Sequence, residues 1–268
     1  MPNVEHRTIK GLGLHDKPLS LSHVKDITPW SSHLANFLKG FASEDVYYRK
    51  WDFDGDAVID DFWTLSADAT ATGFDQPTTQ EHGGIISGAT GTTDDGAVSM
   101  RGPAVVKGDN RAYLHVHASF SAITSLQFEV GLIDAVTDAT LPVVSDVDTP
   151  ANGSNGAADL VVVHMDTDQT LQTMALVVDG STSGMNCQKV NFGTLTPTAA
   201  TMMCFRVFVD GNSVTSIIDN KRAYRKSMGP NAIEGGTLLR PWIFARCRAG
   251  SANRTVKVDL VELMGERA

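Results

Sequence analysis

Residues 112–133 read AYLHVHASFSAITSLQFEVGLI, and they decide the fold class. Tyr113, His115 and His117 alternate with Leu114, Val116 and Ala118, the period of two that sends successive side chains to opposite faces of a strand. The stretch predicts two strands, Ala112–Ile123 and Leu126–Ile133, the first with one wet and one dry face. From Asp52 onward the same grammar repeats, with short apolar runs separated by clusters of Gly, Asn, Asp, Thr and Pro. Further strands are predicted at Ala158–Met165, Thr173–Val178 and Met203–Val209. In the last of these Phe205, Val207 and Val209 alternate with Arg206 and Phe208, and Asp210-Gly211-Asn212 turns the chain into a hairpin partner at Ser213–Ile218. Val256–Met264 alternates Val256, Val258 and Leu260 with Lys257 and Asp259, then loses its phase. Ten or more such segments exceed what one open sheet holds without curling, so two packed antiparallel sheets are expected. A chain of 268 residues then fits one all-β sandwich, residues 51–268, with an N-terminal appendage.

Residues 1–50 differ in kind. Gly11, Gly13, Pro18 and Pro29 interrupt any long element. The most that is expected is one short helix over Ser32–Phe41, with Leu34, Phe37, Leu38 and Phe41 on one face. Ordering a residue costs about 1–2 kcal/mol of backbone entropy, so a segment this poor in apolar side chains needs a host: its own body, a sister subunit or a larger assembly. Trp30, Leu34, Phe37, Leu38, Phe41, Tyr47, Tyr48 and Trp51 are the residues expected to find it, since aromatic surface is costly in water. This N-terminal segment is therefore read as an extended docking arm.

Charge separates the two parts. Residues 1–50 hold seven Lys/Arg and five Asp/Glu, whereas the rest holds fifteen and twenty-six, within a net charge of −9. The acidic body lacks the basic stripe that releases counterions from phosphates, so nucleic acid is excluded as the main partner. No signal-peptide pattern and no stretch approaching eighteen apolar residues is present, so neither export by a leader nor a membrane span is expected. Cys187, Cys204 and Cys247 are odd in number and widely spaced, which fits reduced structural thiols better than a disulfide framework or paired zinc ligands. Cys204 and Cys247 sit in apolar runs and are expected to pack as small hydrophobes.

Residues 60–65 (DDFWTL), the Gly83-Gly84 pair, the run from Gly83 to Gly102, and the long strand ending LQFEVGLIDA at Ala135 together resemble concanavalin-A-like, laminin-G-type jelly-roll domains of tailed-phage virion proteins. The resemblance covers residues 51–268. It implies a two-sheet jelly roll used for adhesion, sugar binding or decoration of a virus particle.

Sites of chemistry are sparse. Asp52, Asp54, Asp56, Asp60 and Asp61 form the densest carboxylate cluster, but Ala57 and Trp63 stand where an EF-hand loop needs Gly and Glu. A solvated acidic lead-in is expected there, and similarly around Asp134, Asp138, Asp146 and Asp148. His115 and His117 share a strand face in a manner that suits zinc or copper. A third ligand is required, and His82 and His164 are the histidines available for it. Glycoside hydrolysis needs two carboxylates across a cleft, and Glu129 shows no acidic partner along the chain. The basic set Lys221, Arg222, Arg225 and Lys226 is a candidate for electrostatic docking to an acidic neighbour. The sequence thus leads to a non-enzymatic virion structural protein without cofactor, a capsid decoration or cement protein made in the host cytoplasm and displayed on the virion surface. Its expected partners are the major capsid protein or other virion proteins, with a homotrimer as the expected assembly. The alternative is a carbohydrate-binding adhesin module of a tail fibre or surface protein.

Overall fold

The computed structural model describes residues 46–53, 62–75, 84–109, 111–146, 151–152, 155–168, 174–180, 185–192, 197–210, 213–219, 222–227, 233–250 and 252–267. Eighteen strands follow in chain order: β1 (Val46–Trp51), β2 (Thr64–Ala67), β3 (Thr72–Asp75), β4 (Ile86–Ala89), β5 (Ala97–Arg101), β6 (Val106–Lys107), β7 (Ala112–Phe120), β8 (Leu126–Ile133) and β9 (Val144–Asp146). The second half contains β10 (Ala151–Asn152), β11 (Leu160–Asp166), β12 (Ala175–Gly180), β13 (Met185–Asn191), β14 (Met203–Asp210), β15 (Ser213–Ile218), β16 (Arg222–Ser227), β17 (Leu238–Cys247) and β18 (Thr255–Glu266). Two eight-stranded antiparallel sheets form the sandwich, and no helix occurs among the described residues. The all-β, two-sheet expectation holds.

One sheet runs β16-β15-β14-β7-β18-β4-β3, with β1 beside the second half of β18. The other runs β13-β12-β11-β8-β17-β5-β2, with β6 beside the first half of β17. Between them lies the main core. Leu114, Val116, Ala118 and Phe120 on β7 meet Leu126, Phe128, Val130 and Leu132 on β8. Phe120 stacks on Phe128 at 4.4 Å between ring centroids, and Phe205 of β14 closes edge-on to Phe128 at 5.8 Å. Offset and edge-on pairs of this kind add to area burial because the ring edges and faces carry opposite partial charge.

The second sheet is covered on its outer face as well. The connection from β8 to β11 folds back over it, so that Val143, Val144, Ala139 and Ala157 pack with Ile133, Leu160, Val162, Val177, Trp242 and Phe244 in a separate apolar cluster. All eight residues of β8 are therefore buried, unlike the half-wetted strands expected of an antiparallel sheet with one solvated face.

Two further placements bear on the sequence reading. Val46–Trp51 pairs with Val261–Glu266, so the boundary drawn after residue 50 falls inside a strand. Tyr47 packs against the core, and Trp51, only 7% exposed, lies 4.2 Å from Phe62 and 5.0 Å from Trp63 between ring centroids. The host for these aromatics is the chain's own sheet. Trp30, Leu34, Phe37, Leu38, Phe41 and the short helix expected over 32–41 lie outside the described residues. The lost phase of the terminal strand has a local cause: the β18 register against β7 shifts between Val258 and Leu260. Asp259 is the extra residue of a bulge, and the inward set passes from Val256 and Val258 to Val261 and Leu263.

Candidate functional site

The outward face of the first sheet carries a band of polar side chains at its centre. On β7 these are Tyr113, His115 and His117. Opposite them stand Phe208, Arg206 and Cys204 of β14 on one side, and Met264, Glu262 and Leu260 of β18 on the other. Strand phase dictates this composition, because inward Met203, Phe205, Val207 and Val209 force Cys204, Arg206 and Phe208 outward. Nδ1 of His115 lies 2.8 Å from Oε2 of Glu262, and its Nε2 lies 3.1 Å from Cys204 Sγ. His117 Nδ1 lies 3.6 Å from Asp259 Oδ2, a contact that the bulge makes possible. One ligand atom from each of His115, His117 and Cys204 falls within 4.8 Å of the other two.

The electrostatics of this band follow from its partial burial. Burial pushes the Cys204 thiol up to about 11, with Arg206 working against the rise. Burial, together with the charge of His115, lowers His117, although Asp259 opposes the shift. At Glu262 burial works to raise the carboxyl, but the hydrogen bond and charge of His115, helped by Lys50 and His117, bring it below the ordinary value. Burial and then Glu262 push the Tyr113 phenol well up.

On the opposite sheet, Glu129 is fully buried under the β8–β11 connection. Oε2 accepts from Val143 N–H at 2.9 Å and Trp242 Nε1–H at 2.8 Å. Oε1 accepts from Val144 N–H at 2.8 Å and faces His164 Nδ1 at 3.3 Å. Gln127 Nε2–H reaches the Val144 carbonyl at 3.2 Å, and Ser99 Oγ–H reaches that of Ala139 at 2.6 Å. These contacts bolt the connection onto the sheet, and the Glu129 carboxylate spends its acceptor capacity on that task.

A third feature lies at one end of the sandwich, where the β2–β3 and β4–β5 turns meet. Asp68, Ala69, Thr70, Thr93, Asp94, Asp95 and Gly96 line an open depression of about 360 Å³. Asp68 Oδ2 accepts from Ala97 N–H at 2.7 Å, the Thr70 and Thr93 hydroxyls meet at 2.7 Å, and Arg248 holds Asp95 at 2.8 Å. Gly96 is required there, since a Cβ would strike the Thr90 carbonyl oxygen. Nothing in the local sequence beyond a run of turn residues announces this rim, because it exists only where two turns distant along the chain converge.

The remaining sequence candidates are dispersed. Asp52 faces Lys50 at 3.6 Å on the surface; Asp54, Asp56, Asp60, Asp61, His82, Asp148 and Lys221 lie outside the described residues. Arg222, Arg225 and Lys226 belong to the edge strand β16, and their side chains lie outside the described ones. Asp134 and Asp138 build turns, accepting from Ala158 N–H at 3.0 Å and Thr140 N–H at 2.9 Å. His164 belongs to the Glu129 cluster, and the third partner of His115 and His117 is Cys204. Cys247 does pack as a buried residue, with its thiol toward the Ala249 carbonyl at 2.8 Å. The half-buried Cys204 does not.

By sequence, the chain matches no protein-family model and no curated protein. Its fold has clear counterparts among solved structures. The carbohydrate recognition domain of Emp47p aligns with TM-score 0.54 and 13% identity, over 83% of this chain and 96% of that one. A protein of unknown function from Shewanella oneidensis aligns with TM-score 0.55 and 10% identity, over 90% and 95%. The catalytic domain of an endo-1,3-beta-glucanase (laminarinase) from Thermotoga petrophila aligns with TM-score 0.52 and 12% identity, over 84% and 99%. The fold is the concanavalin-A-like jelly roll. This corrects the expectation of a non-enzyme: a laminarinase catalytic domain is built on this same sandwich, so the solitary Glu129 carries no exclusion of catalysis.

Proposed function

We propose that this chain is a carbohydrate-binding module that engages glycans at the rim formed by Asp68, Thr70, Thr93, Asp94 and Asp95. The observation that carries the reading is the depression itself, about 360 Å³, with carboxylates and hydroxyls held by two tight turns. Such groups hydrogen-bond adjacent sugar hydroxyls, and charge-assisted bonds to carboxylates are the stronger ones. The likeness to a carbohydrate recognition domain supports placing a sugar on this scaffold. The outer face of the β8 sheet is packed against the chain's own connection, whereas the rim lies open at the loop end. Trp51, Trp63 and Trp242 are buried, so recognition here rests on polar contacts rather than on an aromatic platform. Glycan-array screening of the full chain, followed by calorimetry with the best binder, tests the reading. Asp94→Ala and Thr70→Ala are expected to weaken binding at least tenfold without changing the fold, and unchanged affinity would sink it.

A second reading is decoration of a virus particle, with residues 1–45, which precede β1, docking on a shell protein and the sandwich displayed outward as a homotrimer. That segment holds five Lys/Arg and five Asp/Glu against seventeen and twenty-six in the acidic remainder, a contrast that favours it, because contacts repeated over many subunits turn weak binding into avidity. Quantitative mass spectrometry of the source particle separates the two. A copy number comparable with the shell subunit supports decoration, and only a few copies per particle favours the sugar-binding module.

A further inference from the structure

We propose that His115, His117 and Cys204 form a transition-metal site of the zinc type on the outward face of the first sheet, with one coordination position left for a fourth ligand. The inference is independent of the glycan reading, since it concerns the outward face of the first sheet at β7, β14 and β18 and none of the rim residues.

The donor set is the first ground. Imidazole and thiolate are the ligands that suit zinc and copper rather than magnesium or calcium. Three of them converge within 4.8 Å from two adjacent strands, with Cys204 directly across from His117. Ligand atoms around a tetrahedral zinc lie about 3.5 Å apart given bonds of about 2.0–2.3 Å, so side-chain rotations closing roughly 1 Å assemble the shell. In the metal-free state the 3.1 Å separation of His115 Nε2 and Cys204 Sγ is a hydrogen bond, and metal entry replaces it.

The second ground is the outer shell. Metal-binding histidines characteristically give their other ring nitrogen to a carboxylate, which fixes tautomer and ring orientation. His115 does so with Glu262 at 2.8 Å, and His117 faces Asp259 at 3.6 Å. That second carboxylate is delivered by the β18 bulge, a device that proteins retain where a side chain must be re-aimed. Charge closes as well: a dication, one thiolate, two carboxylates and the Arg206 guanidinium sum to zero, which suits a face where Arg206 is only 8% exposed. His117 and Asp259 side chains, 31% and 36% exposed, provide the way in.

The test uses the full chain, stripped with chelator and titrated with Co²⁺ and then Zn²⁺. Expected are one Co²⁺ per chain, a thiolate-to-cobalt charge-transfer absorption, and its loss on displacement by Zn²⁺. Cys204→Ser should abolish that absorption while the far-ultraviolet circular dichroism stays unchanged. His117→Asn should weaken Co²⁺ binding at least tenfold, and Cys247→Ser should leave it intact. Absence of the charge-transfer band in the folded wild-type chain overturns the proposal, as does a band that persists in Cys204→Ser.

Discussion

Trp242 and Glu129 stand diagonally across neighbouring strands, the indole N–H donating to Oε2 at 2.8 Å beneath a connection whose Val143 and Val144 amides donate to the same carboxylate. A neutral amide cannot substitute here, because one of its two ends would present N–H groups to N–H donors. Glu129→Gln is therefore expected to cost about 2–4 kcal/mol, the range for leaving buried polar groups unpaired. Urea unfolding monitored by tryptophan fluorescence measures it. A loss below about 0.5 kcal/mol, the scatter of ordinary surface substitutions, would mean that the connection is held by its apolar contacts alone.

Two residues further along β8, Gly131 lies where a Cβ would meet the Val161 carbonyl and stand 2.6 Å from Val162 Cα. Backbone cannot step aside as a flexible side chain can, so strands β8 and β11 would have to part. Gly131→Ala is expected to destabilise by several kcal/mol, beyond the about 1–3 kcal/mol of ordinary overpacking. Gly250→Ala, with nothing within 4 Å of the added methyl, should be close to neutral. Thermal unfolding of the two variants side by side checks the contrast.

The limits of β8 and β15 were legible residue for residue, because apolar alternation and turn residues coincide at both ends of Leu126–Ile133 and Ser213–Ile218. The terminal strand expected over Val256–Met264 lies within β18, but its alternation was legible only as far as Val258: an inserted residue leaves no mark except a broken period, and the break was visible without its cause. Burial of both faces of the β8 sheet was hidden, since it depends on where the long connection settles and not on the strand's own pattern. The His115 and His117 pairing followed from spacing alone. The third ligands expected for them were His82 and His164, although the alternation of Phe205, Val207 and Val209 with Arg206 also places Cys204 outward beside them. The apolar neighbours of Cys204 suggested a core thiol instead, a case in which composition pointed one way and periodicity the other.

Trp51 seals one end of the main core against Phe62 and Trp63, while Arg49 lies over the Trp51 and Phe62 rings at 5.1 and 5.0 Å. Removing the buried indole should cost about 3–5 kcal/mol in Trp51→Ala, whereas Arg49→Ala should cost no more than about 1 kcal/mol, the scale of an exposed cation–π contact. The same geometry sets the result of truncation. Removing residues 1–45 should leave cooperative unfolding intact, while removing residues 1–52 strips β1 from Val261–Glu266 and exposes a sheet edge prone to pairing with other chains. Calorimetry and size-exclusion chromatography of both truncations decide it, and equal behaviour would show that β1 is dispensable.

Arg248 ties the rim to the sheet beneath it. Its Nε–H donates to Asp166 Oδ1 at 3.1 Å, and Nη1–H donates to Asp95 at 2.8 Å. Asp166 is fully buried, so Arg248→Ala strands a carboxylate away from water and should cost about 3–5 kcal/mol. Lysine is a point charge without the planar fork that spans both acceptors, so Arg248→Lys should recover less than half of that loss. Replacing both partners by apolar residues, Arg248→Met with Asp166→Leu, removes the stranded charge and should come within about 1 kcal/mol of wild type, since desolvation offsets most of a buried pair's attraction. Denaturant unfolding of Arg248→Ala, Arg248→Lys and the double variant beside wild type gives all three values. If the single and double variants were equally unstable, the pair would owe its effect to lost packing, and the rim would not depend on Arg248 for its shape.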